Sequence, residues 1–141
     1  MFGIKYALKV AKEYYDDKTY HHAMRVAGYV AQNNMIPKDK VNNCIILAIM
    51  HDLFEDTKYE FPIDSATDDE EWHVNECLKL LTRDKKNSTY ESYLQKIKES
   101  FDKYPEAYWV KLADMKDHLA QTETLTEKLR DKYLAALPYL L

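Results

Sequence analysis

The sequence predicts an all-α fold, a bundle of about six or seven helices in a single domain over residues 1–141. Three observations carry this expectation. Apolar residues recur at helical spacing almost throughout. Only 2 Gly and 4 Pro occur in 141 residues, too few breakers for a turn-rich β fold. Hydroxyl-x-x-Glu capping patterns recur in the second half.

The elements follow in order. Ile4, Leu8, Ala11 and Tyr15 share one face of a first helix. Met24, Ala27, Tyr29, Val30 and Ala31 belong to a second. Val41, Cys44, Ile45 and Ala48 recur at i, i+3, i+4 and i+7 in a third. With the run from Cys44 to Met50, that helix is apolar nearly all round and should be central. Thr67-Asp68-Asp69-Glu70, Ser88-Thr89-Tyr90-Glu91 and Thr124-Leu125-Thr126-Glu127 predict later helix starts. Pro37 and Pro105 suit first helical turns, where the missing N–H is harmless. The stretch from Asp56 to Ala66, with Pro62, lacks a clean period and reads as a loop. Between Trp109 and Leu119, the residues Leu112, Met115 and Leu119 form an apolar face. Lys111, Asp114 and His118 fall at i−3, i and i+4 on another.

Composition narrows the function classes. Hydrophobic residues are 46% and charged residues 31%, as in a soluble globular protein. A net charge of −4 argues against a nucleic-acid partner. An anionic small-molecule substrate stays open, because a metal and a few lysines can set the local field. Cys44 and Cys77 lie in helical apolar patterns without C-x-x-C spacing. Two buried free thiols in a reducing compartment are expected, and no cysteine metal site. No secretory h-region opens the chain, and no apolar run approaches the ~18 residues of a membrane span. A cytoplasmic protein without membrane association is expected, its oligomeric state open.

The chemistry concentrates at Met50-His51-Asp52-Leu53-Phe54-Glu55-Asp56-Thr57. A neighbouring imidazole and carboxylate can hold one metal ion together. Glu55 and Asp56, a turn further on, could handle protons beside it. This points to metal-assisted hydrolysis if other segments supply ligands, and His22 and Asp114 are the candidates. The plain alternative is a helix C-terminal histidine paired with its acidic neighbour. His73, beside an acidic helix start, reads as a surface residue.

The ordered set His22, His51-Asp52 and Asp114 resembles the H…HD…D signature of the HD-domain metal-dependent phosphohydrolases. The detail is closest to the RelA/SpoT-type alarmone hydrolases. His22-Ala23-Met24-Arg25-Val26-Ala27 resembles their HPxxVA segment, and this register selects His22 over His21. His51 to Thr57 resembles their HDxxEDT, and Val110-Lys111-Leu112-Ala113-Asp114 their xKLAD helix. Leu81-Thr82 with the basic run Arg83 to Lys86 is similar to a further family stretch, and Thr124-Leu125 to the end of the KLAD block.

The resemblance implies a helical bundle. It implies one divalent ion, usually manganese, held by His22, His51, Asp52 and Asp114; Fe, Co, Zn or Mg also suit such donors. It makes Glu55 and Asp56 the catalytic pair, with Glu55 on the water and Asp56 as its partner or proton donor. The reaction implied is removal of the 3′-pyrophosphate from guanosine tetra- or pentaphosphate. Lys111, Arg83 and Lys85 or Lys86 are candidate phosphate clamps, and Tyr133 or Tyr139 could cover a base. Ala23 replaces a family proline, His118 replaces an asparagine that would bear on substrate, and the loop from Tyr14 to Tyr20 is short. These departures leave open a different nucleotide or phosphoester, or a metal-stabilised nucleotide-binding module without turnover.

Overall fold

The computed structural model describes residues 3–60 and 69–141. Its helices are α1 (Ile4–Tyr14), α2 (Asp17–Gln32), α3 (Lys38–Met50), α4 (Leu53–Asp56), α5 (Asp69–Leu81), α6 (Tyr90–Glu99), α7 (Pro105–Ala120) and α8 (Glu127–Leu140). Among the described residues there is no strand, and α4 is a single turn of 4 residues. The all-α expectation holds. No helix among them is long and apolar enough to cross a membrane.

α3 is the central helix. It packs on α1, α2, α5 and α7, so it needs apolar residues on every side. Ile46, Leu47, Ala48, Ile49 and Met50 are accordingly all buried in sequence. The second helix differs from expectation. Its buried face is His22, Ala23, Val26 and Val30, while Ala31 is exposed. The hydropathy pattern counts an imidazole as polar, yet His22 points inward and shifts the face by a residue. α7 differs for the same reason. Lys111, Asp114 and Asp117 are buried, whereas Leu112 and Leu119 are only partly so.

The helix starts follow capping chemistry, displaced from the expected positions. Thr89 caps α6 by accepting from Ser92 N (3.1 Å), one residue past Ser88. Thr126 caps α8 by accepting from Leu129 N (3.1 Å), while Thr124 Oγ1 donates to Gln121 O instead. Pro105 opens α7 as expected, but Pro37 is the cap of α3 rather than its first residue. Thr67 and Pro62, on which two further expectations rest, lie outside the described residues.

The corner between α1 and α2 is only Tyr15 and Asp16. Asp16 caps α2 by accepting from Thr19 N (2.8 Å). Tyr15 does something less local. Its buried hydroxyl donates to Ile49 O (2.8 Å), a carbonyl freed where α3 ends, and accepts from Asp52 N (3.2 Å). Both are backbone groups that no helix satisfies there. Burial, then the nearby Asp52 charge, push the phenol far above its ordinary range, so it stays a neutral donor. The end of α1 thus fixes the break at which His51 and Asp52 leave α3. Tyr15→Phe should cost about 1–3 kcal/mol in chemical denaturation, since it leaves two buried backbone groups unpaired. An undiminished midpoint would mean that water takes over the hydroxyl's place.

Candidate metal centre

Four side chains from three segments meet at the end of α3. His22 comes from α2, His51 from the C-cap of α3, Asp52 from the start of α4 and Asp114 from α7. One ligand atom from each lies within 4.8 Å of all the others. His22 Nε2 is 2.7 Å from Asp114 Oδ1 and 3.6 Å from Asp52 Oδ2. His51 Nε2 is 3.1 Å from Asp114 Oδ1 and 3.2 Å from Asp52 Oδ2. Both imidazoles aim Nε2 at one point between two carboxylates.

The far side of each ring explains that aim. His51 Nδ1 donates to Ala48 O (2.6 Å), an orphan carbonyl of the last turn of α3. His22 Nδ1 donates to Asp117 Oδ2 (2.6 Å). Asp117 is in turn held by Arg25 through Nε (2.8 Å) and Nη2 (3.1 Å). Histidines that bind metal usually donate their second nitrogen to a carboxylate or carbonyl, which fixes tautomer and ring angle. Both do so here. The donor set of two imidazoles and two carboxylates suits a divalent first-row ion. Sequence reasoning missed Asp117. Its only signal was the need of His22 for a partner, three residues beyond Asp114 on the same helix.

The electrostatics agree. Burial alone would lower both imidazoles. Asp52 and Asp114 outweigh it at His51 and lift it to about 9; Asp114 likewise lifts His22. Burial would raise Asp114, yet Lys111 and the three histidines around it hold it well below the carboxylate range.

The centre opens into a cavity of about 150 Å³ lined by Asp52, Glu55, Arg83, Lys85, Tyr90, Tyr93, Lys111, Asp114, His118, Lys132 and Tyr133. All four expected substrate-side residues, Arg83, Lys85, Lys111 and His118, therefore stand together. Lys111 Nζ donates to Asp114 Oδ2 (2.8 Å) and sits over the rings of Tyr90 and Tyr93. His118 Nε2 is 3.3 Å from Asp114 Oδ1, and its ring lies between His22 and Tyr133. Tyr133 thus borders the cavity, whereas Tyr139 is exposed and absent from its lining. Of the acidic pair, Glu55 lines the cavity and accepts from Arg83 N; Asp56 is not part of the lining. Lys132 is an addition that α8 supplies. The packing of α8 on α6 and α7 brings it here.

Two buried donors on cavity-lining residues lack firm partners. Arg83 Nε makes no hydrogen bond, and the Tyr90 hydroxyl, beside the Lys111 ammonium, makes none of good geometry. Crowding shows in Lys132 as well. Partial burial, then Arg83, Lys111 and Lys85, push its ammonium below the usual lysine range.

Two outcomes follow. Asp117→Asn should weaken divalent-metal affinity about 10–100-fold by calorimetry while leaving one ion bound at saturation, because it loosens His22 without removing a ligand. Metal binding must displace the imidazole protons, so affinity should keep rising with pH toward about 9, the His51 value, rather than level near 6.5. Proton release measured in two buffers checks this; affinity that flattens by about pH 7 would contradict it.

The HD domain family model matches residues 19–135, from the first turns of α2 into α8. Searches of curated proteins and of solved structures give no match. HD domains are typically metal-dependent hydrolases that bind divalent ions, and the His/Asp cluster could hold one here. With the match running over most of the chain and its histidines and aspartates converging on one point, this chain belongs to the HD domain family.

Proposed function

We propose that this chain is a metal-dependent phosphohydrolase of the alarmone-hydrolase type, releasing pyrophosphate from a 3′-pyrophosphorylated guanine nucleotide. The observation that carries the phosphate part is the cavity beside the metal cluster. Arg83, Lys85, Lys111 and Lys132 gather there in a protein of net charge −4. Arg83 Nε and the Tyr90 hydroxyl are buried donors that an anionic oxygen would satisfy. A space of about 150 Å³ takes a phosphoryl group rather than a whole nucleotide, whose pockets run roughly 300–1,000 Å³. The nucleoside would then lie outside, against the Tyr133 and His118 rings.

His22, His51, Asp52 and Asp114 would hold the ion, probed first as manganese. When bound, it supplies positive charge for a phosphoryl oxygen and acidifies water. The rest falls to the protein. Glu55, anchored by Arg83 N, orients water and takes its proton. Asp56 is the proton donor or the partner of Glu55. Burial, then Asp52 and Glu55, raise its carboxyl, so it keeps a proton more readily than an ordinary aspartate. Lys111, Arg83, Lys85 and Lys132 neutralise the phosphoryl oxygens and orient the group.

A second reading has its own support. The α1–α2 corner is two residues long, and His118 stands against the metal ligand Asp114. Both alter the surroundings that would grip a nucleotide, so an HD phosphohydrolase for another phosphoester fits the same centre. Incubation of the Mn-loaded protein with guanosine tetraphosphate decides between them. GDP plus pyrophosphate is the expected result. Cleavage only of other compounds in a phosphoester panel would transfer the assignment to the second reading.

Asp52→Asn should lose the metal. Glu55→Gln should retain it and lower kcat by about 10²–10⁴. Unchanged turnover in Glu55→Gln would remove Glu55 from the chemistry, and a wild-type protein that binds nucleotide without turnover would be a sensing module. Lys132→Ala should raise KM about 10-fold or more with kcat less affected, as loss of a charged hydrogen bond does.

A further inference from the structure

A second group of ligand-bearing side chains stands at the contact of α5 with α7. His73 and Cys77 are four residues apart on α5 and therefore share a face. Glu106 follows Pro105 in the first turn of α7. One atom of each, an imidazole nitrogen, the thiol sulfur and a carboxylate oxygen, lies within 4.8 Å of the other two. Glu106 and Asp114 are eight positions apart on α7, about 12 Å along the axis, so the two groups are separate.

The surroundings are those of a closed site with one open side. Cys77 is 1% exposed and Glu106 4%, whereas the His73 side chain is 31% exposed. His73 is thus no plain surface residue. Its Nε2 donates to Glu106 Oε1 (2.9 Å), and its ring packs on Tyr104. Cys44 of α3 is also buried nearby. Burial, then the Glu106 charge, lift its thiol to about 12, and the same two causes lift Cys77. Spacing between cysteines could not reveal this group, because the partners of Cys77 are a histidine and a glutamate.

We propose that His73, Cys77 and Glu106 bind a second, zinc-class divalent cation that ties α5 to α7. A thiolate with an imidazole and a carboxylate suits borderline-soft Zn²⁺ and disfavours Mg²⁺ or Ca²⁺. Tetrahedral bonds of zinc to N, O and S place ligand atoms about 3.3–3.6 Å apart. The 2.9 Å contact of His73 with Glu106 needs to open by only about half an ångström. Binding releases the Cys77 proton to solvent, and His73 coordinates as neutral imidazole through Nε2. The three side chains leave one of zinc's four positions for water, and solvent has access on the side of the partly exposed His73. The site is independent of the hydrolase reading, since it shares no ligand with the first centre.

Cobalt distinguishes the two centres, because only a site with sulfur gives a near-ultraviolet thiolate-to-cobalt charge-transfer band. The metal-stripped full chain is titrated with CoCl₂. A saturable band is expected in wild type and in Asp52→Asn, bleached by added ZnCl₂ and absent in Cys77→Ala. No band at saturating cobalt in wild type would overturn the proposal, as would a band that survives Cys77→Ala. Glu106→Gln keeps the volume and provides a second measure independent of the Cys77 substitution. Loss of a mere hydrogen-bonding neighbour of a ligand costs about 10–100-fold, so Glu106→Gln should weaken cobalt affinity at least about tenfold. Unchanged affinity would overturn the assignment.

Discussion

Asp114 is a carboxylate that the interior could not hold on its own. It is 3% exposed and receives Lys111, His22, His51 and His118. Those partners come from α2, α3 and α7, so one charge draws together the three helices that form the heart of the bundle. Burying an ion costs several kcal/mol, and stripping one partner from such a group typically costs about 3–5 kcal/mol. The arrangement is therefore poor as a stability device and good as a preorganised receptor. The folded chain holds His22, His51, Asp52 and Asp114 around one point by its own contacts, as a site for a cation needs.

The organisation beyond Asp114 works outward through groups of alternating character. Arg25 neutralises Asp117, Asp117 orients His22, and His22 faces Asp114. On α3 the corresponding role falls to backbone. The Ala48 carbonyl orients His51, and the Tyr15 hydroxyl holds the break at Asp52. A helix end supplies unpaired carbonyls and N–H groups without any added residue. Placing the His-Asp pair there uses that supply.

Legibility from sequence followed the range of the interactions. His22, His51, Asp52 and Asp114 were readable because each stands in a local motif whose order is itself informative. The all-α class was readable because few breakers and a helical period agree across the chain. Asp117 and Lys132 were not, since each acquires its role from a partner or a cavity distant in sequence. The buried side of α2 was misplaced because a histidine that points inward scores as polar. Helix starts slipped by one or two positions where adjacent hydroxyls compete, Ser88 with Thr89 and Thr124 with Thr126. The choice among them costs little locally and is made by packing. His73 read as surface because nothing near it in the chain foretells Glu106.

The cavity walls come from two differently supported parts of the bundle. Asp52 and Glu55 belong to α4 and its start and Lys111, Asp114 and His118 to α7, while Tyr90, Tyr93, Lys132 and Tyr133 belong to α6 and α8, which pack chiefly on each other. The molecule resembles a book whose spine is α7, with Asp52 and Glu55 printed on one leaf and Lys132 and three tyrosines on the other. An anion lodged between the pages would bind them shut, and its occupancy would add RT ln(1 + [L]/Kd) to the cohesion of the volume.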